Sequence, residues 1–192
     1  MAKKMKRLAG LSLLLTLISA WWYLAAEDEI LLTFSITFGT IAYHLGMRLC
    51  VGTIVDRCFH NRMDMEKGWF RVGPREQRLY EKWGVKRWKD RMPTYDADAF
   101  DSRRHSWEEI AQAMCQAELV HEWIILLSFL PILASVWFGA LPVFVITSIL
   151  SACLDAAFVV MQRYNRPRVC RLMQKQASGK KVSLCYTGRK AE

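Results

Sequence analysis

No CxxC pair occurs anywhere in this 192-residue sequence, and its six cysteines, Cys50, Cys58, Cys115, Cys153, Cys170 and Cys185, stand singly. That scatter indicates neither a disulfide framework nor a zinc site. There is no internal repeat beyond two apolar hairpins, and no low-complexity stretch apart from a polar tail after Gln174. The middle of the chain, from Asp56 to Leu119, is too poor in apolar residues to build a core by itself.

Long apolar runs are what the sequence does have, at residues 8–26, 30–55, 123–138 and 141–160. A hydrocarbon layer of about 30 Å needs roughly 20 apolar residues at 1.5 Å rise. A buried soluble hairpin fits the last two runs almost as well, but two such pairs are hard to hide in one soluble core of this size. The expected fold is therefore all-α: an integral membrane protein with four transmembrane helices, arranged as two hairpins, and a cytoplasmic, interfacial helical segment. The organisation read from composition is an N-terminal hairpin (1–55), a charged and aromatic segment (56–119), a C-terminal hairpin ending in the run RYNRPR (120–171) and a flexible basic tail (172–192).

Basic residues set the expected orientation, because cytoplasmic flanks are enriched in Lys and Arg. Lys3, Lys4, Lys6 and Arg7 precede the first run, whereas Glu27, Asp28 and Glu29 follow it. Arg163, Arg166, Arg168 and Arg171 follow the last. Both termini and the middle segment then lie in the cytoplasm, in a multi-pass arrangement. A signal peptide is the competing reading of the first run. Trp21, Trp22 and Tyr23 at its end resemble an interfacial aromatic belt instead of a cleavage site. The net charge of +9 sits beside the spans, where anionic lipid headgroups are a simpler partner than nucleic acid.

Within the middle segment, Pro74 begins a helix that Gly84 ends, with Glu76 in its first turn and Lys82 in its last. Trp69, Phe70, Leu79, Tyr80, Trp83, Val85, Trp88 and Met92 read as an amphipathic surface at headgroup depth, flanked by cations that include Lys89, with Asp90 beside it. A solvated charged loop is the plainer reading. The same cations and aromatics suit the phosphates and pantetheine arm of an acyl carrier.

Ser106 caps a second helix, with Glu108 and Glu109 in its first turn, running toward the third span. Along it Glu118, His121 and Glu122 share one face. A histidine beside carboxylates suits general base work, and the same trio also reads as an interfacial anchor. Metal is not expected, since a second Glu-x-x-His is missing. Asp155 inside the fourth span and His44 near the cytosolic end of the second are ionisable groups at membrane depth, hence site candidates. Each reads equally as an interhelical hydrogen bond. Arg163, Asn165 and Arg166 form a dense donor set that can pair Asp155 or Glu118, hold a phosphate, or anchor the span.

Five segments carry a family resemblance: Glu66-Lys67-Gly68-Trp69-Phe70, Glu76-x-x-Leu79-Tyr80, Val85-Lys86-Arg87-Trp88-Lys89-Asp90-x-x-Pro93, Ala117-Glu118-x-x-His121-x-Trp123 and Gln162-Arg163-Tyr164-Asn165-Arg166-x-Arg168. Over about residues 65–171 the chain resembles the glycosyl-4,4'-diaponeurosporenoate acyltransferase family of small bacterial membrane proteins. The resemblance implies transfer of a fatty acyl group, from a thioester donor such as acyl-CoA or acyl-carrier protein, to a hydroxyl of a glycosylated lipid such as a carotenoid glycoside. Membrane lipids, the lipid-linked glycoside and the acyl thioester are then the partners, the bacterial cytoplasmic membrane the location, and no cofactor is called for. It brings no catalytic residue with it.

On the residues themselves, His121 with Glu118 or Glu122, and Asp155 at depth, are the catalytic candidates. Trp69, Trp88, Lys89, Asp90, Arg163, Asn165, Arg166 and His44 are the substrate-binding ones, with Lys89 or Arg163 steadying an oxyanion. The HxxxxD pattern of glycerolipid acyltransferases is missing, for Asp64 follows His60 one residue too early, and there is no GxSxG elbow. A small membrane methyltransferase and a non-catalytic lipid-binding or assembly subunit fit the same layout. Oligomeric state has no signature in the sequence.

Overall fold

A computed structural model describes residues 2–88, 92 and 98–187. Among the described residues there are six α-helices: α1 (Ala2–Ala26), α2 (Glu29–Phe59), α3 (Pro74–Lys82), α4 (Trp107–Leu127), α5 (Pro131–Phe138) and α6 (Leu141–Thr187). Short 3₁₀ turns occupy Gly68–Phe70, Val85–Arg87 and Asp98–Phe100. There is no strand among the described residues. Four stretches are long and apolar enough to cross a membrane: Lys3–Ala26, Glu29–Phe59, Trp107–Phe138 and Leu141–Ser178. In none of them does more than 22% of the most apolar window lie buried. A soluble hairpin core would hide such faces from water, so lipid is the medium that suits them. The protein is a multi-pass membrane protein.

The chain forms two compact units, one drawn from Met1–His60 and Leu119–Val159, the other from Asn61–Pro93, Ala97–Glu118 and Val160–Glu192.

In the first unit α1 and α2 make a hairpin turned at Glu27 and Asp28, where Asp28 caps α2 by accepting from the Ile30 amide at 2.8 Å. The polar residues of α1 are satisfied locally: Ser12, Thr16 and Ser19 each donate to the carbonyl four residues back at 2.8 Å. Met47, Val51 and Val55 of α2 bury against Ile124 of α4, with Leu119, Val120 and Leu127 around them. Pro131 breaks α4 from α5. It has no N–H for the Leu127 carbonyl, which instead accepts from the Tyr43 hydroxyl at 2.8 Å. Gly139 and Ala140, both at positive φ (66° and 50°), then turn the chain into α6.

In the second unit α3 has the bounds its sequence signals: Pro74 at its first turn, Trp83 as C-cap, and Gly84 at φ 67°. Gln116 and Gln112, one turn apart on α4, accept from the amides of Asn61 and Met63. Ser106 and Glu109 form the reciprocal cap of α4, Ser106 Oγ accepting from the Glu109 amide and Glu109 accepting from the Ser106 amide.

One expectation changes here. Phe70, Tyr80 and Val85 are buried and not part of an outer amphipathic face, since Tyr80 and Val85 pack on Tyr164 of α6 with Trp88, Val72 and Val160 around them. The middle segment thus gains from α6 the apolar partners it lacks. The stretch from 172 to 187 is helical and continues α6. Polar composition does not oppose a helix when the residues are good formers such as Gln174, Lys175, Gln176 and Ala177 and a nucleated helix precedes them.

Candidate active site

The first unit holds a line of polar side chains in otherwise apolar surroundings. On α6, Ser148, Ser151 and Asp155 fall at i, i+3 and i+7, hence on one face, and on α2 His44 and Arg48 are one turn apart. Asp155 is 1% exposed. Its Oδ2 accepts from Arg48 at 2.5 Å, and its Oδ1 lies 2.8 Å from His121 Nδ1. A carboxylate that faces an arginine accepts on both oxygens, so Nδ1 carries the proton and Nε2 is the ring atom left to act as a base. Phe158 stacks on the imidazole, with centroids 4.7 Å apart, and fixes the plane of the ring. Arg48 also donates to Ser151 Oγ at 2.9 Å, and its other nitrogen binds the His44 carbonyl. Ser151 then donates to Ser128 (2.9 Å), which itself donates to the Ile124 carbonyl at 2.7 Å. Each hydroxyl in this chain has one defined direction.

The second unit holds a different cluster, also built on buried charge. Glu118 is fully buried and accepts from two arginines, Arg163 on Oε1 and Arg166 on Oε2. Arg163 is saturated: Nε and one terminal nitrogen fork onto Glu76, and the remaining donors reach Glu118 and the carbonyls of Trp69 and Arg71. Arg166 also donates to the Phe70 carbonyl and lies over the Phe70 ring, 5.2 Å from its centroid. Two carboxylates and two guanidiniums balance here, which offsets the cost of burying them. The Arg163 fork holds the Glu76 carboxyl below its usual range. Tyr80, which donates to Glu76 at 2.5 Å, is pushed up to about 12 by burial first and by that carboxylate second.

The structure distributes the sequence candidates unevenly. His121 finds its carboxylate in Asp155, 34 residues on, while Glu118 is committed to the arginines. Glu122 is half-buried on α4. Arg163 has no N–H left for an oxyanion or phosphate, and Asn165 donates to the Met161 carbonyl of its own helix. Trp69 is exposed and offers its carbonyl to Arg163, and Trp88 packs beside Val85. Lys89 and Asp90 lie outside the described residues. His44 stands midway along α2, between Glu29 and Phe59, further from the helix end than the sequence reading placed it. Arg48, Ser128 and Ser151 were missed. The signal that finds Arg48 is a basic residue in one span and an acidic one in another, each too deep to be cheap alone. Among the described residues no three His, Cys, Asp or Glu side chains gather as a metal site requires.

No curated protein and no solved structure matches the chain. A family model does, that of glycosyl-4,4'-diaponeurosporenoate acyltransferase, over residues 57–175. The matched stretch takes in His121, Asp155, Glu118, Arg163 and Arg166, while Arg48 and His44 precede it. It covers more than half of the sequence, and on that ground the chain belongs to the glycosyl-4,4'-diaponeurosporenoate acyltransferase family, a family of acyltransferases.

Proposed function

We propose that the protein transfers a fatty acyl group from a thioester donor, acyl-CoA or acyl-carrier protein, to a sugar hydroxyl of a membrane glycolipid of the carotenoid glycoside kind, with His121 as general base. The observation that carries this reading is the His121 Nδ1 to Asp155 Oδ1 contact at 2.8 Å, with Arg48 on the other carboxylate oxygen. His121 Nε2 takes the proton of the acceptor hydroxyl as its oxygen attacks the thioester carbonyl. The tetrahedral intermediate collapses, the C–S bond breaks, and the departing thiolate recovers the proton from the imidazolium. Ester and free thiol are the products. Asp155 stabilises the imidazolium, and the fixed charge of Arg48 keeps Asp155 ionised throughout. With Arg48 and Asp155 paired and His121 neutral the resting cluster carries no net charge, as suits its depth. Proton transfer by such a base contributes about 10²–10⁴-fold. The family match supports the reaction class, and the basic flanks support an orientation in a bacterial cytoplasmic membrane with both termini inside.

Mass spectrometry of total lipids from a host that makes the glycoside, expressing wild type, His121→Gln or an empty vector, tests the reading. An acyl-sized mass increment seen only with wild type is the expected result. A methyl-sized increment, or an acyl increment that survives His121→Gln, overturns it.

A further inference from the structure

Two buried polar side chains in the first unit take no part in the cluster around Asp155. His44 is 8% exposed and Ser148 is fully buried, and neither His44 ring nitrogen nor Ser148 Oγ has a hydrogen-bond partner among the described residues. Leaving such groups unserved is costly, and deep in a membrane span no bulk water is at hand to serve them.

Their register places them together. Tyr43 meets Leu127, Met47, Val51 and Val55 share one apolar cluster with Ile124, Val120 and Leu119, and Ser151 meets Ser128 while Asp155 meets His121. Both α2 and α6 therefore run antiparallel to α4, and parallel to each other. Arg48 joins Ser151 and Asp155 across the two helices. One turn toward the N-terminus on the same faces, about 6 Å along the axis, come His44 on α2 and Ser148 on α6. The imidazole offers one donor and one acceptor, and the hydroxyl offers both.

We infer that His44 and Ser148 form a sugar subsite, one turn beyond Arg48 and Ser151 and two turns of α6 from Asp155, which takes hydroxyls of the acceptor's glycosyl ring other than the one acylated. The assignment rests on the acyl-transfer reading for the identity of its ligand. A ring with hydroxyls on several sides is the chemistry that satisfies three orphan positions at once. It also explains why the span tolerates them: each hydrogen bond from sugar to protein offsets a desolvation cost that both partners otherwise bear.

The test uses the full chain in nanodiscs of sugar-free lipid, titrated with a long-chain alkyl glucoside and, in parallel, with the alcohol of the same chain. Binding is read by tryptophan fluorescence and thermal shift. The expected result is that Ser148→Ala and His44→Phe each weaken glucoside binding about tenfold and leave alcohol binding unchanged. Without ligand, Ser148→Ala keeps the wild-type Tm or exceeds it, since the hydroxyl it removes has no protein partner. In turnover assays the acceptor KM rises while kcat and donor KM hold. Unchanged glucoside binding in both variants overturns the inference, and so does a fall in unliganded Tm with binding intact, which marks a structural water. If wild type binds the glucoside, the variants do not, and no acyl product forms in any host, the subsite stands and the acyl-transfer reading falls.

Discussion

Asp155 and Glu118 are both buried carboxylates that face arginine, 1% and 0% exposed, and the groups around them have opposite characters. Glu118 gives both oxygens to guanidiniums, and one of those, Arg163, has every N–H occupied. Asp155 gives one oxygen to Arg48 and the other to an imidazole. Guanidinium offers donors only, so the Glu118 cluster holds backbone in place. Imidazole leaves Nε2 outside its bond to Asp155, so the Asp155 cluster keeps one ring atom able to take a proton. Burial and charge pairing are common to both; what separates a site that reacts from one that fastens is a partner with an acceptor atom to spare.

The largest effect that can break this comparison is on turnover. Asp155→Asn is expected to lower acyl transfer about 10²–10⁴-fold, measured as ester product per folded protein. Glu118→Gln is expected to leave turnover per folded molecule within about threefold while lowering stability by about 3–5 kcal/mol, because the buried Arg166 loses its anion and Arg163 keeps only Glu76. Loss of activity in properly folded Glu118→Gln protein collapses the distinction. Next in size is coupling within the pair. Arg48→Met alone leaves Asp155 buried without its cation and costs about 3–5 kcal/mol; adding Asp155→Asn is expected to recover about 0.5–3 kcal/mol of that in a thermal-unfolding cycle, with activity still lost.

The pH dependence of stability sharpens the contrast from the other side. The folded-state pKa of Glu76 lies below its unfolded value, near 4.3. Its contribution is full above that value and fades as pH falls through the folded one. Tyr80 is the reverse: its contribution is full below an unfolded value of about 10 and fades as pH rises toward about 12. A Tm-against-pH profile should therefore lose its acid limb in Glu76→Gln and its alkaline limb in Tyr80→Phe. The smallest expected effect is at the cap of α4, where Ser106→Ala costs about 1 kcal/mol by unfolding and leaves both clusters and their pH limbs as they were.

Local signals were legible in advance and distant ones were not. Pro74, Gly84 and Ser106 act within a turn of themselves, and they mark the ends of α3 and the start of α4 where the structure has them. The four spans were legible because length and apolarity are also local sums. The partner of His121 was not. A single helix offers only neighbours on its own face, which named Glu118 three residues back and Glu122 beside it, whereas the carboxylate it meets is on another helix. Arg48 was missed for the same reason, since its anion is on another helix 107 residues on. The inward turn of Tyr80 and Val85 likewise depends on Tyr164, and that of Phe70 on Arg166, all more than 75 residues away in the chain.

The separation of Arg48 from its anion has a consequence for biosynthesis. Asp155 follows it by 107 residues, so a ribosome delivers the cation to the translocon well before the carboxylate exists. An arginine at the centre of an inserting helix costs about 2.5–3.5 kcal/mol on insertion scales. The Arg48–Asp155 pair can therefore form only once α6 has been made, so the buried cation is the charge compensated last.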